Sequence, residues 1–247
     1  MSITFDKVND VINCGSDTSL DNMSARTYSA WINPVSVGEN NLGYILGKVG
    51  GVNGWSFNLG VTNTIQFAHT GTTLIVRTAA NSLITLGSWQ HVLITWDGVM
   101  TTASSIHIYI NGSEVSSYQT TSNGAGTIND SGGNLCIGNR DTDTARTFDG
   151  VITEAAMWNV ILTSDEIASL YGAGNPYKGT PLSIRSSALK GYWPMNEDAS
   201  GTVNSGAGYV KDKSGNENNG AQSGDPVYSL EPLLYPRGSR LMMLGVG

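Results

Sequence analysis

The sequence predicts an all-β protein, a two-sheet antiparallel sandwich with one short helix. Glycine is abundant, at 31 of 247 residues, and only 13% of the residues are charged. Few charges and many turn-forming residues are typical of short strands joined by tight turns. Apolar and polar side chains alternate along most of the chain, and one segment alone has a helical pattern. A chain of this length can bury a large core without a metal or a disulfide.

Alternating side chains mark the expected strands. In Gly54–Gly60, for example, Trp55, Phe57 and Leu59 share one face. The pair Asn111-Gly112 is typical of a hairpin turn after such a strand. We expect strands at Thr27–Asn33, Tyr44–Val49, Gly54–Gly60, Thr64–His69, Thr73–Arg77, Trp89–Trp96, Ser105–Asn111, Asn134–Gly138, Gly150–Trp158 and Leu189–Met195.

The expected helix begins near Thr163. The sequence Thr-Ser-Asp-Glu from Thr163 to Glu166 is a capping box. In this motif the Thr163 side chain accepts a hydrogen bond from the Glu166 amide, and the Glu166 side chain accepts one from the Thr163 amide. Ile167–Tyr171 supplies a short apolar stripe, and Gly172 is suited to end the helix. We expect this helix to pack on the β framework.

The alternation weakens between Gly174 and Ala188, where Pro176 and Pro181 lie. This stretch is compatible with a linker between two domains or with a connection inside one. The roughly 60 residues that follow contain too few strand candidates to bury a core of their own. We therefore expect a single domain over 1–247, with 1–171 as its main body, 189–228 returning to complete it and 229–247 as a C-terminal tail.

The charge balance argues against several partners. The chain has 20 acidic and 13 basic residues, a net charge of −7. The basic residues are scattered, so a phosphate backbone would be repelled and nucleic-acid binding is not expected. No stretch approaches the roughly 20 apolar residues of a membrane span, so membrane insertion is not expected.

The two cysteines, Cys14 and Cys136, lie in apolar stretches and are expected to be buried. A disulfide between them requires neighbouring strands. The N-terminus, MSITFDKVND, has no basic start and no apolar run, so it does not resemble an export signal. We therefore expect free thiols in a reducing compartment. If an export signal has been trimmed from the chain, a disulfide is the alternative.

Seven segments between Ile3 and Tyr171 follow one another in a recognisable order: ITFDKVNDVINCG, TYSAWINP, GWSFNLG, GSWQHVLITWDG, IHIYINGSEV, NLCIGNR and FDGVITEAAMWNVILTSDEIASLY. This order resembles the laminin-G-like, concanavalin A-like lectin/glucanase jelly-roll family. The resemblance implies a jelly-roll sandwich, and we expect this one to bind or assemble rather than to catalyse.

The C-terminal stretch GYWPMNEDASGTV…VKDKSGNENNGAQ resembles the strand pair that usually opens domains of this family. Here it comes last. A circular permutation explains this order, because the ends of a sandwich often lie close together. The alternative is the start of a second domain, for which too little chain follows.

The resemblance also implies a structural calcium ion. Calcium prefers several carboxylate, amide and carbonyl oxygens, and the family's matching loop often holds it with help from the acidic strand residue that is Glu154 here. Thr153 replaces the second carboxylate of that strand, which lowers the expected affinity. The alternative is a polar Asx-type turn without a metal. The candidate ligands are Asp212, Ser214, Asn216, Asn218 and Glu154.

A weaker cation site could form at Asp141-Thr142-Asp143 with Asp149 nearby, although such a loop is more often simply solvated. Catalysis is not expected. Retaining glycoside hydrolases need two carboxylates about 5–5.5 Å apart, and Glu154 is the single carboxylate of its strand face. We therefore expect a protein that is not an enzyme.

Sugar binding is the other class of function that the family resemblance implies. The region that builds one sheet face in this family contains Tyr44, Trp55, His69 and Arg77, which we take as candidate glycan-binding residues. Four tryptophans are expected to fill the core instead: Trp31, Trp89, Trp96 and Trp158.

The C-terminal tail carries an apolar run after two arginines. Soluble monomers rarely leave such a run exposed, so we expect it to fold back or to dock on a neighbouring subunit. The tail residues expected to drive assembly are Leu241, Met242, Met243 and Leu244.

These features suggest where the protein works. Lectin-like sandwiches normally act outside cells, yet no export signal is visible. A virion exterior protein, either a phage capsid decoration protein or a tail adhesin, reconciles the two, with neighbouring virion subunits and surface glycans as partners. The alternative is an extracellular or cell-surface bacterial glycan-binding module, or an accessory domain of a glycan-active enzyme.

Overall fold

A computed structural model describes residues 1–50, 53–141, 145–176, 178–197 and 206–229, with the backbone alone at 206–208. Its one α-helix in these ranges is α1 (Ser164–Tyr171). The strands, in chain order, are β1 (Ser2–Asp6), β2 (Val11–Asn13), β3 (Arg26–Pro34), β4 (Tyr44–Gly50), β5 (Asn53–Gly60), β6 (Thr64–Thr70), β7 (Leu74–Ala79), β8 (Gln90–Trp96), β9 (His107–Ile110), β10 (Ser113–Glu114), β11 (Tyr118–Ser122), β12 (Leu135–Ile137), β13 (Asp149–Trp158), β14 (Leu189–Trp193), β15 (Gly206–Val210), β16 (Gly220–Ser223) and β17 (Val227–Ser229).

The strands form two antiparallel sheets. The first sheet has eight strands in the order β10-β9-β8-β3-β13-β1-β17, with β14 also paired to β13. The second has nine strands in the order β11-β7-β6-β5-β4-β12-β2-β16-β15. The prediction of an all-β, two-sheet sandwich with one short helix is confirmed.

The C-terminal strands join both sheets beside N-terminal ones. In the first sheet, β14 pairs with β13 and β17 pairs with β1. In the second sheet, β16 pairs with β2 and carries β15 at the edge. Strands β1 and β14 lie end to end along one edge of β13, because the first half of β13 pairs with β1 and the second half with β14.

The main core lies between the two sheets, where alternate residues of each strand point inward. Side chains from the C-terminal strands enter the same core cluster as those from the N-terminal strands. Large core side chains include Trp55, Phe57, Phe67, Trp96, Trp193 and Tyr228.

The helix covers the outer face of the first sheet. It has the predicted capping box at Thr163 and Glu166, and Gly172 ends it in the left-handed conformation. Ile167 and Leu170 pack on Trp158 in a second, smaller core cluster. This leaves the outer face of the second sheet as the open one.

All ten predicted strands overlap observed strands. At Ser105–Asn111, a 3-10 turn over Ala103–Ser105 delays the strand to His107–Ile110. Several short strands were not predicted: β1, β2, β10, β11, β15, β16 and β17.

Both cysteines are buried and free. Their strands β2 and β12 are neighbours, and Cys136 pairs with Asn13, the residue before Cys14. Adjacent residues of a strand point to opposite faces, so the two thiols lie on opposite sides of the sheet. Cys14 belongs to the core between the sheets. Burial raises the pKa of both thiols, so both stay protonated. No helix in the described ranges is long and apolar enough to cross a membrane.

Candidate functional site

The outer face of the second sheet carries two adjoining depressions, of about 230 and 430 Å³, which share Leu42 and Gln66. We call them together the groove. It runs from the segment before β4, over β5 and β6, to β7 and the edge strand β11. Residues that line it include Asn40, Tyr44, Ser56, Gln66, Ala68, Thr78, Gln119 and Arg146.

A row of small side chains forms the hollow. Gly47, Ser56 and Ala68 lie opposite one another on β4, β5 and β6. Their inward-pointing neighbours, such as Phe57 and Phe67, belong to the core. The ring of Tyr44 lies over Gly47, close enough that a Cβ on Gly47 would meet its Cδ2 at 2.7 Å. Glycine at position 47 therefore makes room for the tyrosine ring.

A second row, next to the first, is polar. Tyr44, Asn58, Gln66, Thr78 and Thr120 follow one another across five strands. The Thr78 hydroxyl donates to Gln66 Oε1 at 3.2 Å. The buried Oδ1 of Asn58 accepts no hydrogen bond from the described residues. Asn58 is fully buried and lines neither depression, so the groove offers the amide and hydroxyl groups of Gln66, Thr78 and Thr120 in a line.

Arg146 lines one end of the groove. Its backbone amide donates to Asn139 Oδ1 at 3.2 Å, and its carbonyl accepts from the amide of Tyr44 at 2.9 Å. Its Nη1 donates to the carbonyl of Ala145 at 2.7 Å. These bonds fix the guanidinium beside the start of β4. Sequence reasoning missed this residue, because a loop position gives no periodic signal.

Of the four predicted glycan-binding residues, Tyr44 and Trp55 line the groove, and of these two the Tyr44 ring lies on the outer face of the sheet. Trp55 and His69 face each other on the inner side of β5 and β6. Trp55 is 1% exposed and stacks on Tyr28, with ring centroids 4.1 Å apart. His69 is fully buried against Trp96. Strand alternation thus turns both side chains into the core, which argues against sugar stacking by Trp55 and His69, and their role as glycan contacts stays a prediction.

Arg77 is also turned away from the groove. It pairs with Phe67 on the inner side of the sheet. Its Nη1 donates to the carbonyls of Ser104 and Ile106, and its guanidinium carbon lies 3.5 Å from the ring centroid of Tyr118. These contacts hold the ends of the two sheets together and give Arg77 a structural role, and its role in glycan binding stays a prediction.

A buried ionic cluster, which the sequence reasoning did not foresee, lies between the sheets. Lys48 Nζ lies 2.6 Å from Asp21 Oδ1 and 3.9 Å from Asp130 Oδ1. Arg26 Nη1 lies 3.5 Å from Asp130 Oδ2, and His69 Nε2 lies 3.7 Å from the same oxygen. Charges this deeply buried occur almost only in pairs. Asp130 thereby ties its loop to both sheets.

The predicted calcium loop is closed by hydrogen bonds. Asp212 Oδ1 accepts from the amides of Tyr192 and Ser214 at 2.9 and 2.8 Å, and Oδ2 accepts from the amide of Asn218 at 3.0 Å. The side-chain amide of Asn216 donates to the carbonyl of Leu189 at 3.0 Å. The oxygen donors are of the kind that calcium takes, but the carboxylate already caps an Asx-type turn. Calcium binding stays a prediction.

Glu154 lies at a bulge of β13 with φ of +52°, a conformation unfavourable for a side-chain-bearing residue. Its Oε2 accepts a 2.6 Å hydrogen bond from the Tyr192 hydroxyl. Burial raises the pKa of the Glu154 carboxyl to about 7, and nearby Glu197 adds to the rise. Within the described ranges, no group of three or more His, Cys, Asp or Glu side chains is arranged to hold a metal ion.

The second predicted cation loop is described in part, since Thr142 and Asp143 lie outside the described residues. Asp141 Oδ1 accepts from the side-chain amides of Asn13 and Asn134 at 3.2 and 3.0 Å. Asp149 Oδ2 accepts from the Ser36 hydroxyl at 2.5 Å. Both carboxylates therefore fasten loops to their neighbours.

The tail residues Leu241, Met242, Met243 and Leu244 lie outside the described residues. The four tryptophans expected in the core are buried: Trp31, Trp89, Trp96 and Trp158. Trp96 lies between the sheets. The other three pack on the outer side of the first sheet, in the clusters under α1.

A family model of the laminin-G type, described as the concanavalin A-like lectin/glucanases superfamily, matches residues 6–168. The chain belongs to this superfamily. The resemblance inferred from the seven sequence segments is thereby confirmed. No curated protein matches the chain.

Solved structures share the superfamily fold at low sequence identity. A protein from Bacteroides ovatus ATCC 8483, described provisionally as a carbohydrate-binding protein, has 21% identity and a TM-score of 0.63 over 93% of this chain and 60% of its own. The chain thus spans less than two thirds of that relative. The CBM40 of the Ruminococcus gnavus IT-sialidase, solved with α2,3-sialyllactose, has 14% identity and a TM-score of 0.51 over 69% of this chain and 96% of its own.

Proposed function

We propose that this protein is a non-catalytic carbohydrate-binding module and that the groove is its binding site. The observation that carries the proposal is the polar row from Tyr44 to Thr120, which lies beside a hollow of small residues on the open face of the second sheet. The lectin-like fold supports it, and fold alone would not assign a site.

The groove suits a sugar chain in shape and chemistry. Ligand sites are concave and place a few polar groups on a mostly apolar lining. Side-chain amides such as those of Gln66 and Gln119 both donate and accept hydrogen bonds, as sugar hydroxyls do. Tyr44 adds an aromatic ring at the wall. A chain lying along the polar row would meet such groups at successive strands, about 4.8 Å apart.

The groove lacks the groups that glycoside hydrolysis needs. That reaction normally uses two carboxylates, about 5–9.5 Å apart, across the scissile bond. Neither depression has an Asp or Glu among its described lining residues. The two structural relatives, one described provisionally as carbohydrate-binding and one solved with a sialylated sugar, support binding over catalysis.

The proposal is tested by a glycan array with a parallel hydrolysis assay on the same sugars. We expect binding without hydrolysis, and we expect Gln66→Ala and Gln119→Ala to weaken it. A matched control is Asn159→Ala, which removes an exposed amide just beyond β13 of the first sheet. Hydrolysis by the full chain, or equal losses in the control and the groove variants, would contradict the proposal.

A second proposal concerns where the protein works. The buried free thiols Cys14 and Cys136 are compatible with maturation in a reducing compartment, which supports a virion exterior protein that binds host glycans. The apolar run Leu241–Leu244 would then dock on a neighbouring subunit. Deleting Leu241–Gly247 should leave the fold intact and abolish incorporation into particles. Normal incorporation would refute docking by the tail, and a deletion-insensitive monomer that binds free glycans would favour the extracellular or cell-surface alternative.

A further inference from the structure

We infer that the groove binds carbohydrate chains that carry an anionic group, a carboxylate or a sulfate, and that Arg146 recognises this group. The inference rests on the proposed function and specifies its ligand class. It is drawn from the charge of the groove, from the unused donors of one guanidinium, and from the position of that guanidinium at the end of the polar row.

The charge of the groove is opposite to that of the protein. The chain has 20 acidic and 13 basic residues. Among the described residues that line the two depressions, Arg146 is nevertheless the one with a charged side chain. A single positive charge in a concave, acid-free surface favours an anion there, because the walls exclude part of the screening water.

The guanidinium of Arg146 has donors to spare. It makes no ion pair with any carboxylate in the described part of the chain. Its Nη1 donates to the carbonyl of Ala145, while its Nε is buried and meets no acceptor there. A buried donor without an acceptor is costly. An anion that accepted from Nε and Nη2 together would remove this cost in the fork geometry that arginine offers to carboxylates.

The position of Arg146 sets the register of the ligand. Arg146 and Asn40 line the same depression as Gln119 and Thr120, which lie on the edge strand β11. A sugar whose acidic group pairs with Arg146 would therefore extend its hydroxyls along Gln66 and Thr78. The neutral part of the ligand is bound by the polar row, and the acidic group selects which chains bind.

The test compares matched ligands on the full-length protein by isothermal titration calorimetry. One pair is tri-galacturonate and its carboxyl-reduced neutral form, and a second is 3′-sialyllactose and lactose, with 3′-sulfolactose as the sulfate arm. The variants are Arg146→Gln, Arg146→Lys and, as a matched control, Arg185→Gln. Arg185 is exposed and pairs with Glu166 on α1, away from the groove.

We expect an acidic member to bind more tightly than its neutral partner, and Arg146→Gln to weaken that binding by about 10- to 100-fold, the usual loss of a charged hydrogen bond. Arg146→Lys should retain part of the affinity, because it keeps the charge and loses the fork. The neutral ligands and the Arg185→Gln control should change little. If the carboxylate ligands show this pattern, Arg146 recognises a carboxylate. If the sulfate ligand shows it, Arg146 recognises a sulfate.

Two outcomes would overturn the inference, and they are distinguishable. If neutral and acidic members bind alike and Arg146→Gln changes neither, the inference falls while the proposed carbohydrate binding stands. If no glycan of the array or of these pairs binds the native protein, both fall together. The folding control is the melting temperature of each variant, which should lie within a few degrees of wild type. A difference in affinity between variants then reports a change in binding and not in folding.

Discussion

The Tyr192 hydroxyl donates a 2.6 Å hydrogen bond to Oε2 of Glu154 and so joins the C-terminal strand β14 to the bulge of β13. The preceding residue is Thr153. Its hydroxyl oxygen lies 3.0 Å from the carbonyl oxygen of Met1 and 2.9 Å from the carbonyl oxygen of Pro194. The start of the chain and its C-terminal part therefore meet at one point on β13. This junction bears directly on how the protein would respond to truncation.

A chain truncated after Gly174 should not fold. It would lose β14 to β17 and core residues that include Trp193 and Tyr228. The loss of several large core side chains, at about 3–5 kcal/mol each, exceeds the stability of most domains. Circular dichroism and tryptophan fluorescence should show no cooperative thermal transition.

The matched control is truncation after Ser229, the last described residue, which removes none of these strands. This fragment should melt cooperatively, at a temperature close to that of the full chain. A native-like Met1–Gly174 fragment would show that the C-terminal strands are not needed for the fold.

Replacing Trp55 by alanine should lower the free energy of unfolding and should not remove a direct contact with the glycan. The indole is stacked on Tyr28 in the core, so we expect a loss of about 3–5 kcal/mol in the free energy of unfolding. Tyr44→Ala should instead weaken glycan binding with a smaller change in stability, because its ring lies on the outer face. Urea unfolding and calorimetric titration separate the two effects. A stable Trp55→Ala variant with lost binding would restore Trp55 as a sugar contact.

Asp130→Asn should destabilise the protein at neutral pH by about 3–5 kcal/mol, because it leaves Arg26 and Lys48 buried with less counter-charge. Burial alone would raise the pKa of the Asp130 carboxyl. The His69 imidazole close by, the hydrogen bond from the Asn22 amide and the nearby positive charges outweigh burial and hold this pKa below its ordinary value.

The pH dependence follows from that lowered pKa. The unfolded state takes up a proton at Asp130 at higher pH than the folded state does, so the stabilisation is present above about pH 4 and is lost as the pH falls further. The stability difference between wild type and Asp130→Asn, measured by urea unfolding, should therefore shrink from pH 7 to pH 3. The exposed control Asp165→Asn should change the stability at pH 7 much less than Asp130→Asn does. A pH-independent difference would contradict a charge-based role for Asp130.

Calcium should raise the melting temperature if the loop at Asp212 binds it. A ligand at 100 times its Kd adds about 2.7 kcal/mol to stability. Differential scanning fluorimetry in excess calcium and in chelator measures this, and Asp212→Ala should remove the shift. Identical melting temperatures of the wild type in both solutions would leave the Asx-type turn as the sole role of the loop.

The sequence predicted the fold better than it predicted the candidate site. Long alternating runs such as Gly54–Gly60 and Trp89–Trp96 predicted their strands, because one buried face imposes a period of two. The short strands β16 and β17 have too few residues to show a period. They form because the distant strands β2 and β1 offer them unsatisfied edges, which local pattern cannot reveal.

The burial of Trp55 could have been predicted from the sequence itself. Trp55 shares the apolar face of Phe57 and Leu59, so its alternation already placed it in the core. The opposite face, with Ser56 and Asn58, was the informative one. Arg146 could not be found in this way, because its place beside the groove depends on the loop that leads from β12 of the second sheet to β13 of the first.

The most direct test of carbohydrate binding by the groove is two-dimensional NMR on the isotope-labelled full chain, titrated with the strongest-binding glycan. We predict saturable shifts in the amide and side-chain signals of Tyr44, Gln66, Thr78, Gln119 and Arg146, with the signals of α1 and β14 unchanged. Shifts confined to the loop at Asp212 or to the outer face of the first sheet would place the binding site elsewhere and contradict carbohydrate binding by the groove.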